Sequence, residues 1–328
     1  MTRSSIIKVT RPGTPWETID PFLVCAYHVE HYPAGNTNLG PSVPPPDPAA
    51  TGQNWSMYFG DTVPGFPAHP HRGFETITII RQGIIDHSDS LGESARFGAG
   101  DVQWLTAGQG IVHSEMFPLL NSDKPNTLEV FQVWLNLPAR DKMVDPSFTM
   151  FWAADIPRDV VLDSSGSTEI TRIAGALNGV GMEAPPSPPP RSWATDPDAD
   201  LAIWTLKMTP GARWQLPPAS RSDTRRQLIF FSGSTLAIDG ERVDVGSSIE
   251  VDCTAPVELA NGPEETEILL LQARPIGEPV VQHGPFVMNS LGEIQRAYAD
   301  YHDTHFGGWD WSTNGPNHGP EKGRFTSI

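Results

Sequence analysis

The chain is predicted to be all-β, built from many short strands joined by glycine- and proline-bearing turns. Three observations point there. The 328 residues include 33 prolines and 30 glycines, and proline removes helix hydrogen bonds. Apolar runs such as Thr76-Ile77-Thr78-Ile79-Ile80 are short, β-branched and bounded by turn signals. Two segments hold metal-type ligands one residue apart, His69-Pro70-His71 and His113-Ser114-Glu115. Residues i and i+2 of a strand point to one face.

Taken in order, residues 33–50 read as a long polar loop. From about Trp55 to Pro138, short apolar runs alternate with turns. Residues 76–80 form a strand, and Gln82-Gly83 and the polar run 86–92 form turns. Residues 102–105 and the alternating run 128–135 are further strands. The proline-rich stretch 183–192 is an interdomain linker or a loop inside the second half. Strands then resume at 202–208, at 234–238 leading into the hairpin signal Asp239-Gly240, at 242–245 and at 268–272. This second all-β unit sets the expected domains at 1–140 and 141–328. Ser290 and Glu293 have capping-box spacing, and Ile294, Ala297, Tyr298 and Tyr301 follow at helical intervals. A short C-terminal helix on the outside of a barrel is expected, then an irregular tail from about Gly307.

With 22 basic and 39 acidic residues and a net charge of −17, the chain lacks the positive surface that phosphate recognition needs, so no direct nucleic-acid binding is expected. Cys25 and Cys253 are too few for a disulfide scaffold or a cysteine-ligated zinc module. No run approaches the roughly 20 apolar residues of a membrane span, and the first residues hold no apolar run of signal-peptide length. A soluble, cytoplasmic protein without membrane partners is expected.

Two strands facing across a small barrel would converge His69, His71, His113 and Glu115 on one point. Three imidazoles and a carboxylate suit a mononuclear transition metal with positions left for a small molecule. Iron(II) suits the set best, and manganese, nickel, cobalt, copper or zinc also fits. Gly108-Gln109-Gly110 lets backbones approach just before His113. Glu75 competes as a ligand because it shares parity with His69 and His71. Four residues of extended strand span about 13 Å, however, and donors must lie about 2 Å from a metal. Only a bend at Arg72-Gly73-Phe74 would bring Glu75 in. Gln103 and Trp104 alternate, so one of them points into the barrel. Phe59 and Phe74 are candidate pocket walls, and Arg72 either meets an anionic substrate or forms a surface salt bridge. His87, Asp89 and Ser90 are expected to stabilise a turn by local bonds. No histidine occurs between His113 and His283, so the second unit is expected to be metal-free, and His283 is read as structural.

The segments HPHRGFETITII (69–80), HSDSLGESARFGAGDVQWLTAGQGIVHSE (87–115) and FQVWLNLP (131–138) closely resemble the pirin family of the cupin superfamily. EPVVQHGPFVMN (278–289) and EIQRAYADY (293–301) resemble its C-terminal signature. The resemblance implies a bicupin, two β-barrels face to face, with one metal in the N-terminal barrel. Its His-x-His and His-x-Glu pattern falls on His69, His71, His113 and Glu115, and leaves Glu75 to orient a ligand or hold the loop. The ligand set itself suggests Glu115, at the metal edge, as general base. The resemblance further implies a quercetin 2,3-dioxygenase-like activity on flavonol or other enol substrates with O2. The alternative it carries is a non-enzymatic, redox-sensing partner of transcription factors or metabolic enzymes.

Overall fold

Short alternating apolar runs become strands where the sequence places them. In the computed structural model, which describes residues 4–11, 15–45, 54–176, 181 and 183–327, the runs at 76–80, 102–105 and 128–135 lie inside strands Phe74–Gln82, Val102–Thr106 and Asn126–Asn136. Ala202–Met208 matches its expected bounds, and 268–272 lies inside Thr266–Ala273. Asp239 and Gly240 both have positive φ, 48° and 82°, the twist that closes the two-residue hairpin between Thr235–Ile238 and Glu241–Asp244. Residues 46–53 of the polar loop lie outside the described residues.

The chain forms two units that are not consecutive in sequence. One comprises Met1–Cys25 and Ala154–Gly277; the other comprises Ala26–Ala153 and Glu278–Ile328. This division departs from 1–140 and 141–328 because end segments join the unit distant in sequence. Strand Ile6–Thr10 pairs with Ser247–Val251, and strand Phe325–Ser327 pairs with Ser94–Gly98. Edge pairing of this kind leaves no local sequence signal.

In the first unit a seven-stranded and a four-stranded sheet enclose an apolar core. Trp204, Leu228, Phe230 and Leu270 of one sheet meet Trp214, Leu236, Ile238 and Leu259 of the other. In the second unit two five-stranded sheets pack together. One runs Ser147–Phe151, Val102–Thr106, Phe74–Gln82, Asn126–Asn136, Phe22–Tyr32; the other runs Phe325–Ser327, Ser94–Gly98, Ile84–Asp89, Ile111–Met116, Gly65–His71. Ile80, Leu105 and Val130 meet Ile85, Phe97 and Ile111 between them. Among the described residues, hydrogen bonds close neither unit into a barrel, so the fold is mostly β and cupin-like but not a pair of sealed cylinders.

The helix runs Leu291–Thr304, with Ser290 Oγ accepting from the Glu293 N–H and Glu293 accepting from the Asn289 N–H. Ile294 and Ala297 pack with Val112, Phe286 and Phe306. Val112 adjoins His113 and faces away from it, so the helix covers the outside of the sheet that carries the histidines. The tail is ordered onto that sheet. Ala68 N–H donates to Asn314 O, Trp311 Nε1 donates to Asp89 O, and Phe325–Ser327 adds a strand. Its Gly- and Asn-rich composition supplies turns between these anchors.

Lys142 is 1% exposed and donates to Gly73 O, Asn136 Oδ1 and Val287 O at 2.8, 2.7 and 3.0 Å. Burial pulls its pKa down to about 8. The ammonium pins the turn that follows His71. Lys142→Met strands three acceptors and should cost roughly 3 kcal/mol. Urea unfolding checks this, and an unchanged midpoint refutes it. Among the described residues no helix is long and apolar enough to cross a membrane.

Candidate metal centre

His69 and His113 lie directly opposite each other on paired strands Gly65–His71 and Ile111–Met116. The register shifts between Phe66 and His69, where Pro67 offers no N–H to the ladder. Gly110, at φ +136°, lets the strand start against the Phe306 ring, which an added Cβ would meet at 2.6 Å. The ligand nitrogens of His69, His71 and His113 all lie within 4.8 Å of one another. Their ring centroids are 4.5 Å (His69 to His113), 4.8 Å (His69 to His71) and 5.0 Å (His71 to His113) apart.

Hydrogen bonding fixes two tautomers. His69 Nδ1 lies 2.8 Å from Pro67 O and His71 Nδ1 3.4 Å from Pro285 O. Carbonyl oxygens only accept, so each Nδ1 carries the proton and each Nε2 keeps its lone pair. His113 is fully buried, and among the described residues neither of its ring nitrogens has a hydrogen-bond partner. Burial lowers the pKa of all three. For His71 and His113 neighbouring imidazoles lower it further, while the Glu115 charge opposes the fall at His69. Three neutral imidazoles with unshared lone pairs, one of them orphaned, fit a divalent cation.

Glu115 is not a member of the three-imidazole cluster. Its carboxylate is buried between Thr78 Oγ1 at 3.2 Å and Gln132 Nε2 at 2.8 Å. Thr78 pairs with Gln132 on one side and with Gln103 on the other, so these three share a face. Gln103, rather than Trp104, therefore points inward, and both ends of its amide are buried without a partner among the described residues.

The other candidates sit as follows. Strand Gly65–His71 ends before Phe74–Gln82 begins in the other sheet. Glu75 accepts from Thr106 Oγ1 at 2.7 Å, on the face opposite Thr76 and Thr78. The turn at Arg72-Gly73 thus carries Glu75 away from the histidines. Arg72 is buried, bonded to Asp300 at 2.7 Å and to Gln109 O, and it lies over the Phe306 ring. Of the two readings the salt bridge is the one present, with the guanidinium buried and Asp300 half-exposed, and it braces the helix. Phe74 is buried 5.1 Å from the His71 ring. Phe59 is 75% exposed and reaches the site only through Phe66. His283 bonds Tyr298 Oη at 3.0 Å on the surface.

Sequence reasoning missed His87, Thr78, Gln132 and Trp134. The polar run read as a turn is mostly strand Ile84–Asp89. His87 pairs with Glu115 in register, bonds Asp89 at 3.0 Å and lies 5.5 Å from the His113 ring. Asp89 does hold the following turn, accepting from the Leu91 and Glu93 N–H groups. Trp134 lies 5.4 Å from His71. On Ile84–Asp89, His87 and Asp89 face inward with Ile85, toward the polar site, whereas Asp86 and Ser88 face the other side.

Two packed β-sheets with an imidazole cluster between them define a cupin-type protein with a candidate metal centre. The pirin family model matches residues 16–135, and the pirin C-terminal cupin domain matches 203–307. A Pseudomonas aeruginosa protein named "Putative quercetin 2,3-dioxygenase" is 36% identical over 248 residues, 74% of this chain and 80% of its own. A pirin-like protein of Solanum lycopersicum is 36% identical over 248 residues, 72% of this chain and 75% of its own. The crystal structure of a quercetin 2,3-dioxygenase from Acinetobacter baumannii superposes with a TM-score of 0.71 at 24% identity, covering 93% of this chain and 98% of that one. The chain belongs to the pirin family.

Proposed function

We propose that this pirin is a metal-dependent dioxygenase of flavonol-type or related enol substrates. The observation that carries the reading is the cluster of three neutral imidazoles within 4.8 Å, two with Nε2 free by tautomer and one with no partner among the described residues. His69, His71 and His113 would hold one divalent ion, iron(II) being the donor set's best match. Such an ion, when bound, supplies Lewis acidity toward a substrate hydroxyl and a place for O2 to meet it.

Glu115, outside the three-imidazole cluster, would serve this site as its carboxylate, as fourth ligand and as proton acceptor. Thr78 and Gln132 hold both its oxygens and so aim it for taking the proton of the substrate's enolic hydroxyl. Gln103, on the same inner row, offers an unpaired amide to a substrate oxygen. Phe74 and Trp134 pack beside His71 and limit water there. The other unit would act as a metal-free scaffold. Cys25 and Cys253, both buried and unpaired, fit a reducing cytoplasmic setting.

The relatives' names support the substrate class. The test is aerobic incubation of the metal-loaded protein with quercetin, following loss of its visible absorption band. Turnover with iron is expected. No turnover with iron, manganese, nickel, cobalt, copper or zinc would remove the reading.

A further inference from the structure

We propose that His28 sets substrate specificity at this site, its imidazole Nε2 accepting a hydrogen bond from a hydroxyl on an aromatic ligand. The ligand class rests on the flavonol-type reading above; the role of His28 rests on the geometry that follows.

Strand Phe22–Tyr32 borders Asn126–Asn136 in its sheet. Tyr27 stacks on Phe131 at 4.3 Å and donates to Glu129, which fixes that residue to the outer face. His28 and Glu30 therefore share the inner face with Gln132 and Trp134. The charge of Glu115 also reaches His28, opposing the burial that lowers its pKa. Along this inner surface His28, Phe66, His69, Gln132 and Trp134 are half-exposed, whereas Thr76, Thr78 and Gln103 are buried. The half-exposed group marks the mouth of the site. Phe66 links its two sides, 6.5 Å from the His28 ring and 6.3 Å from the His69 ring.

The proton positions follow from partner chemistry. Tyr58 Oη lies 2.5 Å from Glu30 Oε1 and 2.8 Å from His28 Nδ1. An ionised carboxylate only accepts, so the single tyrosine proton goes to Glu30, and His28 Nδ1–H must donate to Tyr58. His28 Nε2 is left as an acceptor, and no described protein group bonds it. Tyr58 is held for this task at φ +52°, a left-handed conformation that L side chains rarely adopt and that clusters at functional sites. A bridge to Gly65 and packing on Phe66 and Phe117, at 4.8 and 5.9 Å, keep it there.

The experiment is anaerobic fluorescence titration of the metal-loaded protein with quercetin and with galangin, which has the same 3-hydroxyflavone skeleton but no hydroxyls on its pendant ring. Wild type is expected to bind quercetin about 10-fold more tightly than galangin, the effect of one hydrogen bond. His28→Phe should erase the preference, leaving galangin affinity and metal content unchanged. His28→Gln, which keeps an acceptor oxygen, should retain part of it. A preference that survives in His28→Phe overturns the proposal, as does wild type with no preference or no flavonol binding. Binding with a His28-dependent preference but no oxygen-dependent turnover would sink the dioxygenase reading and leave this one standing.

Discussion

His113→Ala is expected to abolish metal retention and, with it, every metal-dependent property of the protein. His113 is the most enclosed of the three imidazoles, and both its nitrogens lack a partner among the described residues. An unpaired buried polar group costs about 1–3 kcal/mol, so the metal-free protein carries a penalty at this position that a cation relieves. Metal should therefore raise the melting temperature of wild type. At a metal concentration near 100 times Kd the linkage is worth about 2.7 kcal/mol. In His113→Ala the metal-induced rise should vanish, metal content after dialysis should fall to background, and quercetin turnover should cease. Thermal melts with and without metal, beside elemental analysis, check this. A variant that keeps its metal and its thermal shift would place the ion elsewhere.

Arg96→Met is expected to be among the most destabilising single changes away from the centre. Arg96 is 1% exposed and grips Asp86 with two bonds of 2.6 and 2.7 Å. Its remaining nitrogen donates to Gly319 O and Lys322 O, both at 2.6 Å, while Asp86 also accepts from the His318 N–H. The pair thus joins strand Ile84–Asp89, which carries His87, to the tail. Removing one member leaves a buried charge uncompensated, at a cost of about 3–5 kcal/mol. Arg96→Met with Asp86→Leu should recover part of that loss, because the orphaned carboxylate goes too. Urea unfolding measures both, and limited proteolysis should show residues 310–327 cut first in the single variant. A loss under about 1 kcal/mol would mean the tail is held by other contacts.

Strands with one apolar face were legible because alternation survives burial on one side. Residues 128–135 declared themselves this way; 76–80, buried on both faces, showed instead as a β-branched run, and the Asp239-Gly240 hairpin and the helix cap at Ser290 showed by their own local signals. The His-x-His and His-x-Glu spacing placed three imidazoles that the fold does bring together. What stayed hidden was polar and buried. Ile84–Asp89 looked like a turn since Asp86, His87, Ser88 and Asp89 have the composition of one, yet all four are buried. His28 and Glu30 alternate with Tyr27 and Val29, and a polar strand face ordinarily means solvent. Glu75 had the right parity but lost its place to the turn at Gly73. Contacts between distant segments, such as Arg96 with residue 319, have no local signature.

The exchanged end segments have a consequence for biosynthesis. Residues 1–25 wait on the ribosome for partners between 154 and 277, which emerge before residue 325. That unit can mature while the nascent polypeptide is still growing. The histidine-bearing unit takes Phe325–Ser327 as an edge strand, so its sheet is completed only after the segments of the other unit have emerged. Neither unit can be excised with a single cut.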